Sequence, residues 1–233
     1  METKLNYKRT FLIGLAFLSI CSFWQMYDNI IPLILQNTYH LGETMTGAVM
    51  ALDNVLAIFL LPVFGALSDK VHTKLGRRMP FIVAGTILAV IFMMLPPMID
   101  NAEKARWNTG ESFSNQVIFL AVLFFTLVSM GLYRSPAVAL MPDVTPNHLR
   151  SRANAVINLM GAVGGVYALI MIKVLVGKGE TPDYLPLFAS IAAVMAIAVG
   201  ILVITIRENK LREEVEKAEA ANAGTIEEKA MAE

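Results

Sequence analysis

The chain has 233 residues, 56% of them hydrophobic and 16% charged, and its mean hydropathy of +0.58 lies outside the range of a soluble domain with a polar surface. Its 19 basic and 19 acidic residues cancel, which gives no footing for nucleic acid as a partner. Cys21 is the single cysteine, and His40, His72 and His148 lack metal-ligand spacing, so neither a disulfide framework, a metal site nor a resident cofactor is expected.

A bilayer core about 30 Å thick needs roughly 20 apolar residues of helix. Six segments qualify: residues 11–35, 46–67, 80–98, 116–140, 153–176 and 184–206. The expected fold is an all-α membrane protein, with a six-helix transmembrane domain over residues 1–206 and a charged tail or interdomain linker over 207–233. Lys4, Lys8 and Arg9 precede the first span; Lys70, Lys74, Arg77 and Arg78 follow the second; Arg150 and Arg152 follow the fourth; Arg207, Lys210 and Arg212 follow the sixth. The alternate connections hold only Lys104, Arg106 and Lys178. By the positive-inside rule both termini are expected to be cytoplasmic, in a protein integral to the lipid bilayer of the plasma membrane.

The first span is too long for a cleaved signal peptide and contains Asp28. A charge at the bilayer centre costs at least ~2.5–3.5 kcal/mol on insertion scales, so such a carboxylate faces a cavity or a partner. Trp24 and Gln25 lie one turn before Asp28 on about the same face. That is the arrangement expected of a sugar site, where an aromatic ring stacks on the pyranose and polar groups bind hydroxyls; ordinary packing is the alternative for Trp24. In the second span Asp53, beside Asn54, lies as far from the outer end as Asp28 does, both about 10 Å below the surface. If these two helices pack side by side their carboxylates approach, and a shared proton or a sodium ion would relieve the repulsion.

The stretch GALSDKVHTKLGRRMPFI follows. Gly65 is expected to end the second helix, Asp69 comes one turn on, Gly76, Arg77 and Arg78 lie beyond, and Pro80 suits the first turn of the third helix. A carboxylate held near guanidiniums can lock a loop in one of two arrangements. Positive-inside anchoring with ordinary capping is the plainer reading, and it accounts for the basic residues but not for the placed Asp and Gly. The connection over residues 99–115 reads as an outer loop with Trp107 and Phe113 as interfacial anchors.

Arg134 falls in the fourth span nearer the cytoplasm, roughly 15 Å in depth from Asp28, too far for a direct salt bridge. The next inner connection has Asp143 seven residues before Arg150, as Asp69 stands seven before Gly76. The repetition suggests two inverted three-helix repeats. In the fifth span Gly161 and Gly165 form a GxxxG pattern that favours close helix contact, and Lys173 is placed to snorkel near the outer end.

The Gly65-to-Pro80 loop resembles the signature loop between helices two and three of the major facilitator superfamily, in a form with longer spacing between Asp69 and Gly76. With GRRMPFI after it, it resembles the sucrose:proton symporters and the glycoside-pentoside-hexuronide:cation symporters. RSPAVALMPDVTPNHLRSRANAV, from Arg134, resembles the same family's passage from helix four to helix five. In the sucrose symporters the cavity arginine lies closer to the following aspartate, where this chain has Val138; Arg134 is one turn earlier on the same face.

The resemblance implies a secondary active transporter working by alternating access, with cation-coupled uptake of a sugar or glycoside. Asp28 and Asp53 would bind the coupling ion, H+ or Na+, Arg134 would bind substrate or respond to Asp protonation, and the Gly65-to-Arg78 loop would stabilise the outward-facing state. Superfamily members have twelve helices in two halves, so the chain is expected to be an amino-terminal half, its second six-helix half missing or supplied by a partner chain. A superfamily transporter of a non-sugar solute and a non-transporting six-helix membrane protein are the alternatives. No Ser-His pair, HExxH or paired catalytic Asp motif falls on any span, so no enzyme is expected.

Overall fold

The computed structural model describes residues 5–107, 116–177, 179 and 181–230. Phe113, Lys178 and the side chain of Trp107 lie outside the described residues. The described residues form α1 (Tyr7–Asn37), α2 (Glu43–Lys70), α3 (Met79–Trp107), α4 (Gln116–Asp143), α5 (Arg150–Leu175), α6 (Leu185–Thr205) and α7 (Glu208–Ala230). The first six are long and apolar enough to cross a membrane, and α7 is not.

The first five apolar runs became helices longer than hydropathy alone marks out, because polar residues continue the backbone hydrogen bonding beyond the apolar core, whereas the sixth, α6, is slightly shorter than its run. Asn6 caps α1 by accepting the Arg9 N–H at 3.1 Å. Two expectations change as a result. Gly65 lies inside α2 rather than at its end, since the helix runs on to Lys70. Residues 99–107, expected in a loop, continue α3 through Pro96 and Pro97. There Asp100, fully buried, accepts from Thr38 Oγ1 and Lys104 Nζ, each at 2.6 Å. Lys104 also donates to the Pro182 carbonyl at 2.7 Å. These bonds tie the adjoining ends of α1, α3 and α6 together.

The packing shows the inverted repeat directly. Exchanging α1, α2 and α3 for α4, α5 and α6 maps the principal interhelical contacts onto one another: α1 on α5 becomes α4 on α2, α3 on α4 becomes α6 on α1, and α3 on α6 becomes itself. Successive spans alternate in direction, so the partners α1 and α4 run oppositely while α1 and α5 run parallel. Two inverted three-helix repeats are the arrangement that the sequence resemblance implies.

Lipid gives little hydrophobic drive between helices, so close approach and hydrogen bonds hold the bundle. At the α1–α5 crossing, a Cβ on Gly164 would strike the Leu18 carbonyl. Ser22 Oγ donates to the Gly164 carbonyl at 2.9 Å. The tightest contact therefore falls at Gly164, with Gly14 against Met160 and Gly161 against Cys21 next, whereas Gly165 of the expected GxxxG pair has only Gln25 Oε1 near it, 3.6 Å from a would-be Cβ. Between α1 and α4, Ser19 Oγ and Tyr133 Oη lie 2.6 Å apart with both residues fully buried. Most of the side chains of α2 are uncovered, including Leu52, Val55, Ile58, Phe59 and Val63.

Candidate functional site

The basic end of the bundle carries a saturated polar network. The turn from Thr73 to Gly76 closes with paired backbone bonds of 3.3 and 3.1 Å. Gly76 adopts φ +126°, a conformation that disfavours any side chain, and turns the chain into α3. Arg78 is 6% exposed. Its guanidinium meets Asp69 at 2.6 Å and Asp143 at 3.0 Å, and donates to the Gly65 carbonyl at 3.1 Å and to Ser68 Oγ. Arg77 bonds Asp143 at 2.8 Å and lies 3.5 Å from Asp69. Burial works to lower the Arg77 pKa, but the hydrogen bond to Asp143 and the charges of Asp143, Asp69 and Glu208 outweigh it and leave the group more basic than usual.

Glu208, the first residue of α7 and only 1% exposed, completes this network. Its carboxylate accepts from the backbone N–H groups of Arg77, Arg78 and Met79, each at 3.0 Å. A helix start leaves such N–H groups without intrahelical partners and carries the positive end of the dipole, so an anion is favoured there. The rest of α7 follows the basic end. Asn209 donates to the carbonyls of Thr73 and Lys74 at 3.0 and 3.3 Å, Glu214 pairs with Arg9 at 3.3 Å, and Glu219 accepts from the Asn147 N–H at 3.1 Å. The tail, read from sequence as a charged segment beyond the transmembrane domain, thus buries Leu211 and Val215 against the bundle.

The two loops form one structure rather than two copies of a lock. Asp143 serves Arg77 and Arg78, whereas Arg150 donates to the carbonyls of Pro142 and Thr145 at 2.9 and 3.2 Å, finishing the end of α4.

The membrane interior is arranged differently. Asp28 lies nine residues before the end of α1 and Asp53 ten residues after the start of α2, so they are level, about 14 Å from the helix ends and deeper than expected. Asp53 Oδ1 accepts from the Asn54 N–H at 2.7 Å and its Nδ2 at 2.9 Å. Arg134 makes no ion pair with either, and its guanidinium sits 5.6 Å above the Trp24 ring, within cation–π range. Trp24 Nε1 is buried and has no hydrogen-bond partner among the described residues.

Two cavities share Trp24 as a wall. A groove of about 420 Å³ between α1 and α5 is lined by Cys21, Trp24, Gln25, Asp28, Asn158 and Gly165 among others. A narrower cleft between α2 and α4 is lined by Trp24, Asp53, Gly131 and Arg134. Trp24, Gln25, Asp28, Asp53 and Arg134 are thus gathered around one aromatic side chain, while Gly65, Asp69, Gly76, Arg77, Arg78 and Asp143 gather at the basic end.

The Major Facilitator Superfamily profile matches residues 5–231. The chain belongs to that superfamily, a family of transporters. It is also similar to sucrose transport protein SUC4 of Arabidopsis thaliana, 35% identical over 116 residues, which cover 47% of this chain and 22% of that protein. Sucrose transport protein SUT3 of Oryza sativa subsp. japonica is 26% identical over 137 residues, covering 55% of this chain and 27% of SUT3. Sucrose transport protein SUC3 of Arabidopsis thaliana is 29% identical over 120 residues, covering 48% and 20%. The matched region therefore spans about a quarter of the length of these curated relatives.

Within this superfamily half, sequence reasoning missed Glu208, Ser68 and Asn158. Glu208 looks like one more acid in a charged tail, and its one signal is its position immediately beyond the sixth span. Asn158 and Asn154 were readable as a polar i, i+4 pair on an otherwise apolar fifth span.

Proposed function

We propose that this chain is one half of a cation-coupled secondary transporter that takes up a sugar or glycoside across the plasma membrane by alternating access, with both termini cytoplasmic. The observation that carries the reading is the set of Asp28, Asp53 and Arg134 in the membrane interior, lining cavities around Trp24 and forming no ion pair among the described residues. Uncompensated charge at that depth is costly, and membrane proteins retain it on ion and substrate paths.

In this mechanism a proton or sodium ion enters between Asp28 and Asp53 and relieves their repulsion. One cation then leaves the three charged groups balanced, since two carboxylates face one guanidinium. The sugar stacks on Trp24 and receives hydrogen bonds from Gln25 and from Arg134. At the basic end the Arg77–Arg78–Asp69–Asp143 network holds one of the two access states, and the surface it closes against belongs to a second six-helix half.

Uptake of labelled sucrose into proteoliposomes containing the chain with a complementary second half tests the proposal. An imposed proton or sodium gradient should accelerate uptake, and Asp28→Asn should abolish the acceleration. Undiminished gradient-driven uptake in Asp28→Asn would remove Asp28 from the mechanism. Absence of uptake under either gradient would favour a non-sugar solute or a non-transporting role.

A further inference from the structure

The groove between α1 and α5 has a polar end that the carboxylate cluster does not explain. Asn158 lines it, and its side chain is uncovered on α5. An amide facing hydrocarbon would leave its donors and acceptors without partners, which is costly, so its natural surroundings are a polar cavity. The helices run parallel here, with Gly161 against Cys21 and Gly165 against Gln25. In that register Asn158 lies one turn toward the basic end from Cys21, and Asp28 one turn the other way from Gln25. The span from Asn158 to Asp28 is about ten residues of rise, roughly 15 Å.

From Asn158 to Gly165 the α5 wall carries only small residues. Gly161, Ala162 and Gly165 line it, with Val166 and Leu169 beyond them, and nothing but Gln25 Oε1 comes within 4 Å of a Cβ built on Gly165. Gly164, next in sequence, makes the helix contact and is not needed to keep the groove open. The groove therefore has hydrogen-bonding groups at its two ends and at Gln25, aromatic walls at Phe17 and Trp24, and an α5 floor of small residues from Gly161 to Gly165 that gives way to Val166 and Leu169 toward the Asp28 end. Its length exceeds that of one sugar ring.

We propose that Asn158 is a substrate-contacting, specificity-determining residue. Its carboxamide hydrogen-bonds a hydroxyl on the second ring of a two-ring glycoside whose first ring lies against Trp24 and Gln25. This rests on the sugar reading above. The Gly165 floor is what lets the linked rings lie along α5, and a single-ring sugar does not reach Asn158.

Cys21, half-buried in the same groove, is the chain's only thiol, so its alkylation reports occupancy. The full chain in lipid nanodiscs is treated with N-ethylmaleimide in the presence of sucrose, maltose or glucose. Sucrose or maltose should slow alkylation of the parent, and Asn158→Ala should raise the concentration giving half-protection about tenfold without changing the rate in the absence of sugar. Glucose protection, if any, should be equal in the two chains. Asn158→Gln should retain part of the protection. Asn154→Ala, one turn nearer the basic end and outside the groove, should behave as the parent and shows that a polar loss on this helix face is not itself the cause. Equal disaccharide protection of Asn158→Ala and the parent overturns the role of Asn158 and leaves the sugar reading standing. Failure of every sugar to protect the parent overturns both.

Discussion

At the basic end, every carboxylate of the network is matched. Asp69 and Asp143 share Arg77 and Arg78, and Glu208 takes three backbone N–H groups. In mid-membrane, where an unpaired charge costs more, Asp28, Asp53 and Arg134 form no ion pair among the described residues, and Trp24 Nε1 has no partner. The contrast separates two uses of charge. The first set is satisfied by the protein itself and contributes to stability. The second has no ion pair within the described residues, and under the proposed function its partners would arrive with the cargo and leave with it.

The largest way to break that contrast is Arg78→Ala. Removing a buried guanidinium leaves Asp143, itself mostly covered, without one of its two partners, and breaking a buried pair from one side costs about 3–5 kcal/mol. A thermal melt of the chain in detergent should show the largest downward shift of any single substitution in the network. Arg78→Lys should recover only part of it, because a lysine cannot reach Asp69, Asp143 and the Gly65 carbonyl together. A melt unchanged by Arg78→Ala would mean that the network is not a source of stability.

Next in size is Glu208→Ala, which strips the cap from the start of α3. Cap removal costs about 0.5–2 kcal/mol, and the buried position of Glu208 sets the expectation at the upper part of that range. The readout specific to this residue is limited proteolysis: α7 should be released from the bundle and cleaved faster, since Glu208 and Asn209 are its attachment to the α2–α3 turn. Glu208→Gln keeps one acceptor oxygen but loses the charge that faces the helix dipole, so it should fall between the parent and Glu208→Ala.

The parts of this design visible in the sequence are those written in local pattern. Six apolar runs and the placement of Lys and Arg dictate a six-helix bundle, and the spacing of Gly65, Asp69, Gly76 and Arg77 marks the polar turn. What sequence could not supply was pairing across distance. Asp143 resembles the partner of Arg150, seven residues away, yet it binds Arg77 and Arg78, 66 and 65 residues away. Gly161 and Gly165 read as a helix contact, yet the register of α5 on α1 turns Gly164 inward and Gly165 to the groove. Glu208 belongs to a tail whose composition says solvent, and only the exposed N–H groups at the start of α3 explain its burial. The Trp24-centred cluster was legible as a set of residues but not as an arrangement around one ring.

The smallest expected change is the one that sharpens the contrast most. Arg134→Met removes a formal charge from the membrane interior, as Arg78→Ala removes one from the basic end, but here no carboxylate loses an ion-pair partner. The lost contact is the cation–π approach to Trp24, about 0.5–1 kcal/mol for a partly exposed pair. Against it stands the cost of keeping a guanidinium out of water, which replacement by an apolar side chain of similar length relieves. The two effects oppose each other, so the melting midpoint should move by no more than the equivalent of about 1 kcal/mol, in either direction. Gradient-driven sugar uptake, by contrast, should be lost. A large fall in the melt would place Arg134 with the satisfied charges of the basic end, whereas a stable protein that no longer transports would show that this charge is kept for the cargo and not for the fold.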